Sequence, residues 1–134
     1  MARGDRTTSG LGGLEFARVG SFRYYFQGDR WEWSDEVAGI HGYEPGTVEP
    51  TTDLMLAHKH PDDRDRVATA LRRLRDHGIP FSSRHRIVDR FGTTRPVLVV
   101  GDRLYDESGT AIGATGFYVD LTDGDREAKA SLDA

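Results

Sequence analysis

Across residues 21–26 apolar and polar side chains alternate, with Phe22, Tyr24 and Phe26 on one face and Arg23 and Tyr25 on the other. That is the period-two pattern of a half-buried strand. Gln27-Gly28-Asp29-Arg30 supplies a turn and Trp31-Glu32-Trp33 resumes the alternation, so a β-hairpin is expected. Ser34 then suits a helix N-cap, and Asp35 and Glu36 fall in the first turn, where negative charge meets the helix dipole favourably. This helix is short, with Val37 and Ile40 inward and Gly42 as its stop. Glu44-Pro45-Gly46 makes a turn, and residues 48–60 read as loop or broken helix. The strongest helical signal follows. Pro61 suits the first position, Asp62 and Asp63 complement the dipole, Val67, Leu71 and Leu74 form a stripe at helical spacing, and Gly78 and Pro80 end it. Three strands come next, over residues 81–90, 95–105 and 111–122, separated by Phe91-Gly92-Thr93 and Asp106-Glu107-Ser108-Gly109.

The predicted order is β-β-α-α-β-β-β. Consecutive strands joined by tight turns imply an antiparallel sheet with the helices on one face, an α+β fold. The length, 134 residues, suits one domain. Residues 1–18 are expected to form a flexible or helical leader, residues 19–122 the domain, and residues 123–134 a C-terminal linker or helix.

Composition narrows the functional classes. No run approaches the roughly 18 apolar residues of a membrane span, and the N-terminus lacks an apolar signal region, so a soluble cytoplasmic protein is expected. The absence of cysteine excludes disulfides, thiolate metal sites and a cysteine–flavin adduct. The net charge of −4 argues against direct nucleic-acid binding by this segment. Arg72, Arg73 and Arg75 cluster, but Asp62, Asp63, Asp65 and Asp76 share their helix, which makes a solvated face of mixed charge. No phosphate-cradling glycine loop, nucleophile elbow or paired-carboxylate motif is present, and an enzyme is not expected.

Several pieces in order carry a resemblance: Trp31-Glu32-Trp33-Ser34, Gly42-Tyr43-Glu44-Pro45, His60-Pro61-Asp62-Asp63-Arg64, His85-Arg86-Ile87 followed by Gly92, Asp106-Glu107-Ser108-Gly109, and a closing Gly116-Phe117-Tyr118-Val119-Asp120-Leu121-Thr122. Together they resemble a PAS domain of the PAS_3 group, and the wording from Trp31 to Thr122 is similar to the sensor half of actinobacterial PAS–ANTAR regulators. The resemblance implies a five-stranded antiparallel sheet gloved around a central cavity that senses a small molecule or a partner. It implies a homodimer, and a relay at the end of the last strand, here Asp120 and Thr122, toward an effector such as an RNA-binding antiterminator.

By the same resemblance Phe81, Ser83, His85 and Ile87 face inward on one strand, Val97, Val99 and Gly101 on the next, and Ala114, Gly116 and Tyr118 on the last. Candidate ligand contacts are therefore Tyr24, Trp33, Ser83, His85, Val99, Gly116 and Tyr118, with His85 and Tyr118 as polar anchors in an apolar pocket. The glycines and alanine would leave room for a ligand. Alternatively these anchors bond each other, the backbone or water, and aromatic side chains fill the core. No cofactor is required by the sequence. Haem would need an imidazole entering from the helices or their loops, from His58, His60 or His77, and His58-x-His60 with Asp62 and Asp63 is a weak metal pattern. Arg86 faces outward and is expected to pair with an acid on a neighbouring strand or with a partner. Asp120 is placed to pair with Arg126 or Lys129, and Thr122 to cap a helix over residues 123–132. Two functions stay open, a ligand-responsive sensor and a constitutive dimerisation or protein-interaction module with a filled core. The apolar Leu11, Leu14 and Phe16 of the leader and Tyr25, Val88 and Leu98 of the outer sheet face could serve either.

Overall fold

The computed structural model describes residues 18–122. Strand β1 (Arg18–Tyr25) and β2 (Arg30–Trp33) form the hairpin. Helices α1 (Asp35–Ile40), α2 (Thr52–Ala57) and α3 (Pro61–His77) follow, and then β3 (Phe81–Val88), β4 (Thr94–Tyr105) and β5 (Ala111–Asp120). All neighbours are antiparallel, in the order β2-β1-β5-β4-β3, so the last strand lies at the centre of the sheet. This is the expected α+β fold.

The hairpin turn is latched to the helical layer. Asp29 takes a positive φ of 50°, a conformation that aspartate tolerates better than most residues. Its carboxylate accepts from the Tyr24 hydroxyl at 2.9 Å and from the Thr52 hydroxyl, and Trp31 Nε1 donates to Thr52 Oγ1 at 3.0 Å. Thr51 caps α2 by accepting from the Leu54 N–H at 3.1 Å. A six-residue helix therefore occupies part of the segment expected as loop or broken helix. It is too short to show a period in the sequence.

The His-Pro-Asp-Asp-Arg run proves to be more than a helix start. His60 Nδ1 accepts from the Asp62 N–H at 3.1 Å, which makes a histidine the N-cap of α3. Arg64 donates to the carbonyls of Leu56 and Lys59 at 2.9 and 3.1 Å, satisfying the end of α2. Asp63 is buried and accepts from Arg86 Nε, Arg86 Nη2 and the Arg86 N–H at 3.0, 2.9 and 2.8 Å. The expected partner of Arg86 was an acid on a neighbouring strand or on a partner protein. It is instead an acid on α3, reached because β3 is an edge strand that a long side chain can wrap around. At the other end of α3, Gly78 is left-handed at φ 68°, and Arg103 donates to the carbonyls of Leu74 and Arg75.

Burial on β3 alternates without exception from Phe81 to Ile87, so the parity assigned to that strand holds. Phe22, Trp31, Val37, Ile40, Met55, Val67, Leu74, Ile87 and Val97 form one continuous core between sheet and helices. The outer sheet face carries half-exposed apolar side chains, Val19 at 51% and Phe117 at 53%. These two are more exposed than Tyr25, Val88 and Leu98, on which the sequence placed the patch. Leu11, Leu14 and Phe16 lie outside the described residues. No helix among the described residues is long and apolar enough to cross a membrane.

Candidate functional site

The centre of the fold holds a cavity of about 20 Å³, walled by Phe22, Met55, Val67, Leu74, Val99 and Tyr118 together with Lys59, Gly101 and Ala114. That volume is room for about one water molecule, far below the roughly 300 Å³ at which drug-sized ligand pockets begin. Of the expected contacts, Val99 and Tyr118 line it and five do not. Tyr24 is stacked on Trp31 at 4.3 Å with its hydroxyl on Asp29. Trp33 is stacked on His41 at 4.2 Å and lines an external groove beside the hairpin. Ser83 lies between Arg66, which donates to its Oγ at 3.1 Å, and His85 Nδ1 at 2.9 Å.

Gly116 has a different role from the one expected. A Cβ there would sit 1.9 Å from the Val100 carbonyl oxygen, so glycine is required by the close approach of β4 and β5. Gly101 and Ala114 do keep side chains off the cavity wall. His85 and Tyr118 are both buried, but they do not bond each other. Each has a partner of its own, and for Tyr118 that partner is Lys59, whose Nζ donates to Tyr118 Oη at 2.9 Å.

Lys59 is the residue that the sequence did not single out. It is 1% exposed. Its backbone forms an isolated antiparallel bridge with Ile87, extending the edge of the sheet by one residue and turning the side chain inward. Among the described residues it has no ion-pair partner. Burial alone pushes its ammonium down to about 7 and pushes the Tyr118 phenol up. Two imidazoles share this interior. His41 and His85 are each held neutral, with pKa values pushed down to about 3, first by burial and then by the nearby Lys59 charge. His41 Nδ1 lies 2.8 Å from the Val37 carbonyl, so that nitrogen carries the proton, and Nε2 of both rings is buried without a partner. In the sequence Lys59 sits between His58 and His60, whose spacing is only a weak metal pattern. His58 is engaged on both ring nitrogens, by the Val88 carbonyl and the Tyr43 hydroxyl, and His60 caps α3. None of His58, His60 and His77 lines the cavity, and no metal-holding group of three acidic or imidazole side chains occurs among the described residues.

At the far end of β5 a second cluster gathers on Asp120, which is buried. Its carboxylate lies 3.5 Å from Arg18 Nη2 and 3.5 Å from Arg95 Nη1, and it accepts from the Thr122 N–H at 2.9 Å and the Thr122 hydroxyl at 2.5 Å. The capture of Thr122 turns the chain out of the ladder, so the strand ends at Asp120 and not at Thr122 as expected. Its partners are arginines of β1 and β4. Arg126, Lys129 and the helix expected over residues 123–132 lie outside the described residues.

Residues 30–118 match the family described as PAS_3, PAS fold. An uncharacterized protein of Mycobacterium leprae is 42% identical over 72 residues, covering 54% of this chain and 53% of that protein. The sensor protein FixL of Bradyrhizobium diazoefficiens is 28% identical over 102 residues, covering 75% of this chain and 20% of FixL. The chain thus spans about half and a fifth of these two relatives. An RNA-binding light-oxygen-voltage receptor of known structure superposes with a TM-score of 0.72 at 31% identity, over 86% of this chain and 31% of the receptor. The match of the family to most of the chain, on the five-stranded antiparallel sheet described above, shows that this protein belongs to the PAS fold family.

Proposed function

We propose that this chain is the input module of a signalling protein, taking a small molecule into its central cavity and passing the change to whatever follows Thr122. The observation that carries this is the double engagement of β5. Ala114 and Tyr118 face the cavity, and Asp120, two residues on, holds Arg18, Arg95 and Thr122. A ligand that prefers one arrangement of Tyr118 shifts the strand-end equilibrium by its differential affinity. The role is sensory, not catalytic. The effector that fits is an RNA-binding antiterminator of the ANTAR type, a choice supported by the likeness to an RNA-binding receptor. The contacts to RNA would belong to that effector, because this segment is net acidic.

A second function has its own support: a constitutive homodimer with a filled core. The cavity volume of about 20 Å³ favours it, as do the exposed Val19 and Phe117 on the outer sheet face. Native mass spectrometry of freshly purified protein separates the two. The sensor predicts a bound small molecule that leaves on denaturation. A dimer of bare chains, unchanged after incubation with a metabolite extract, would favour the filled module.

A further inference from the structure

The chain carries 16 arginines and two lysines, Lys59 and Lys129. Its cationic side chains are thus almost all arginine, while the cation inside the core is a lysine. The two residues differ in one respect that matters here: lysine can shed its proton when buried and arginine cannot. Lys59 is buried, and its backbone is held by the Ile87 bridge and by Arg64 on its carbonyl. Of the three N–H donors on Nζ, one is used on Tyr118. The remaining cavity wall is apolar, with Phe22, Met55, Val67, Leu71 and Val99 around the ammonium.

We propose that Lys59 anchors the carboxylate of a small monoanionic ligand whose apolar body lies against Met55, Leu71 and Val99. This gives the chemical class of the ligand for the sensor function proposed above and rests on it. Two spare N–H groups match the oxygens of a carboxylate, and a charge-assisted bond in an apolar setting is the strong kind. A single anionic charge fits because the flanking His41 and His85 rings are neutral and add no positive charge. A purely structural position would be filled more stably by an apolar residue, since a buried ammonium without a counter-charge is costly. Small size follows from the cavity: it has room for about one water, so even formate or acetate needs Met55 and Leu71 to swing aside, and longer chains need more. Binding charges Lys59 and draws on Tyr118, which is on the strand that ends at Asp120.

The chain offers a direct probe, since Met55 on the cavity wall is one of two methionines and the other is Met1. Protein labelled with ¹³C at the methionine methyls is titrated at constant pH and ionic strength with formate, acetate, propionate and butyrate, and in parallel with acetamide and propionamide. The expected result is a saturable shift of the Met55 signal with a carboxylate, binding at least ten-fold weaker for the matching amide, and a loss of at least ten-fold in Lys59→Leu. If Lys59→Leu does not fold, the carboxylate–amide pair decides on the wild type alone. Equal binding of amide and carboxylate overturns the lysine anchor while leaving a ligand-binding cavity. Undiminished carboxylate affinity in Lys59→Leu also overturns it. A Met55 signal that no compound moves, with bare protein in the native mass spectrum, overturns both the anchor and the sensor function.

Discussion

Replacing Lys59 by leucine changes two terms of opposite sign, and their sizes decide the outcome. Removing the buried ammonium relieves a penalty of several kcal/mol, and Tyr118 loses a hydrogen bond worth about 1 kcal/mol. Lys59→Leu is therefore expected to be more stable than wild type at pH 7. The pH dependence gives a sharper check. The folded-state pKa of Lys59 is lowered to about 7, against about 10.4 for an unfolded lysine. Between those values unfolding takes up a proton, so the wild type gains stability as pH rises through this window. The advantage of Lys59→Leu should be largest at pH 7 and shrink toward pH 9, by about 1.4 kcal/mol per pH unit at most. Urea midpoints of both proteins at pH 7 and pH 9 test this, and a constant difference would contradict it. At this scale the inward side of His85 and Tyr118 followed from the resemblance, because alternation alone says which residues share a face and not which face is buried. Lys59 was not legible, because its inward turn comes from one backbone bridge to Ile87, 28 positions away, within a segment lacking periodicity.

Between elements, the contacts that set the architecture are those that a local pattern predicts least well. Asp63 looks like one more first-turn acid. It joins α3 to the edge strand through Arg86, whose guanidinium holds its carboxyl well below the usual carboxylate range. Asp63→Asn should cost about 2 kcal/mol at pH 7, the scale for hydrogen bonds to charged groups, with Arg86 still 44% exposed to screening water. Because the folded pKa is depressed, this stabilisation is present above about pH 4 and is lost as the pH falls below it. The gap between wild type and Asp63→Asn should accordingly close on acidification. Thermal melts at pH 6 and pH 3 measure it, and a gap that widens in acid would reverse the assigned sign. Gly116 makes the same point for strands. The inward side followed from the resemblance, but the reason for glycine was not legible: the Val100 carbonyl leaves no space for a Cβ, a constraint set by a neighbour in the sheet. Gly116→Ala should lose at least the ~1–3 kcal/mol typical of an overpacked core. A melt unchanged from wild type would show that β4 yields freely there.

For the whole molecule, the five strands and the longest helix were legible from periodicity and turn chemistry, but α2 was not. The place of β5 at the sheet centre comes from its pairing with β1, which chain order does not dictate. The contacts at the end of β5 were only partly visible, because Asp120 finds its partners in Arg18 of β1 and Arg95 of β4, 102 and 25 positions away. Its position gives a prediction about transmission. Asp120→Ala removes two arginine contacts and both bonds to Thr122, but takes nothing from the apolar core. Arg95 keeps a second anchor in Asp89 at 3.2 Å, so β4 stays tied at that point. Amide hydrogen exchange should therefore quicken at the start of β1 and around residues 121–122, while β3 and the interior of β4 keep their protection. In the wild type a carboxylate bound at Lys59 should alter exchange at the same 121–122 amides, and Asp120→Ala should abolish that response without weakening the carboxylate, because coupling and binding are then carried by different residues. If exchange quickened evenly over the whole sheet, Asp120 would be a general stabiliser. If the response at residues 121–122 survived without its carboxylate, the path from cavity to strand end would have to run elsewhere than along β5.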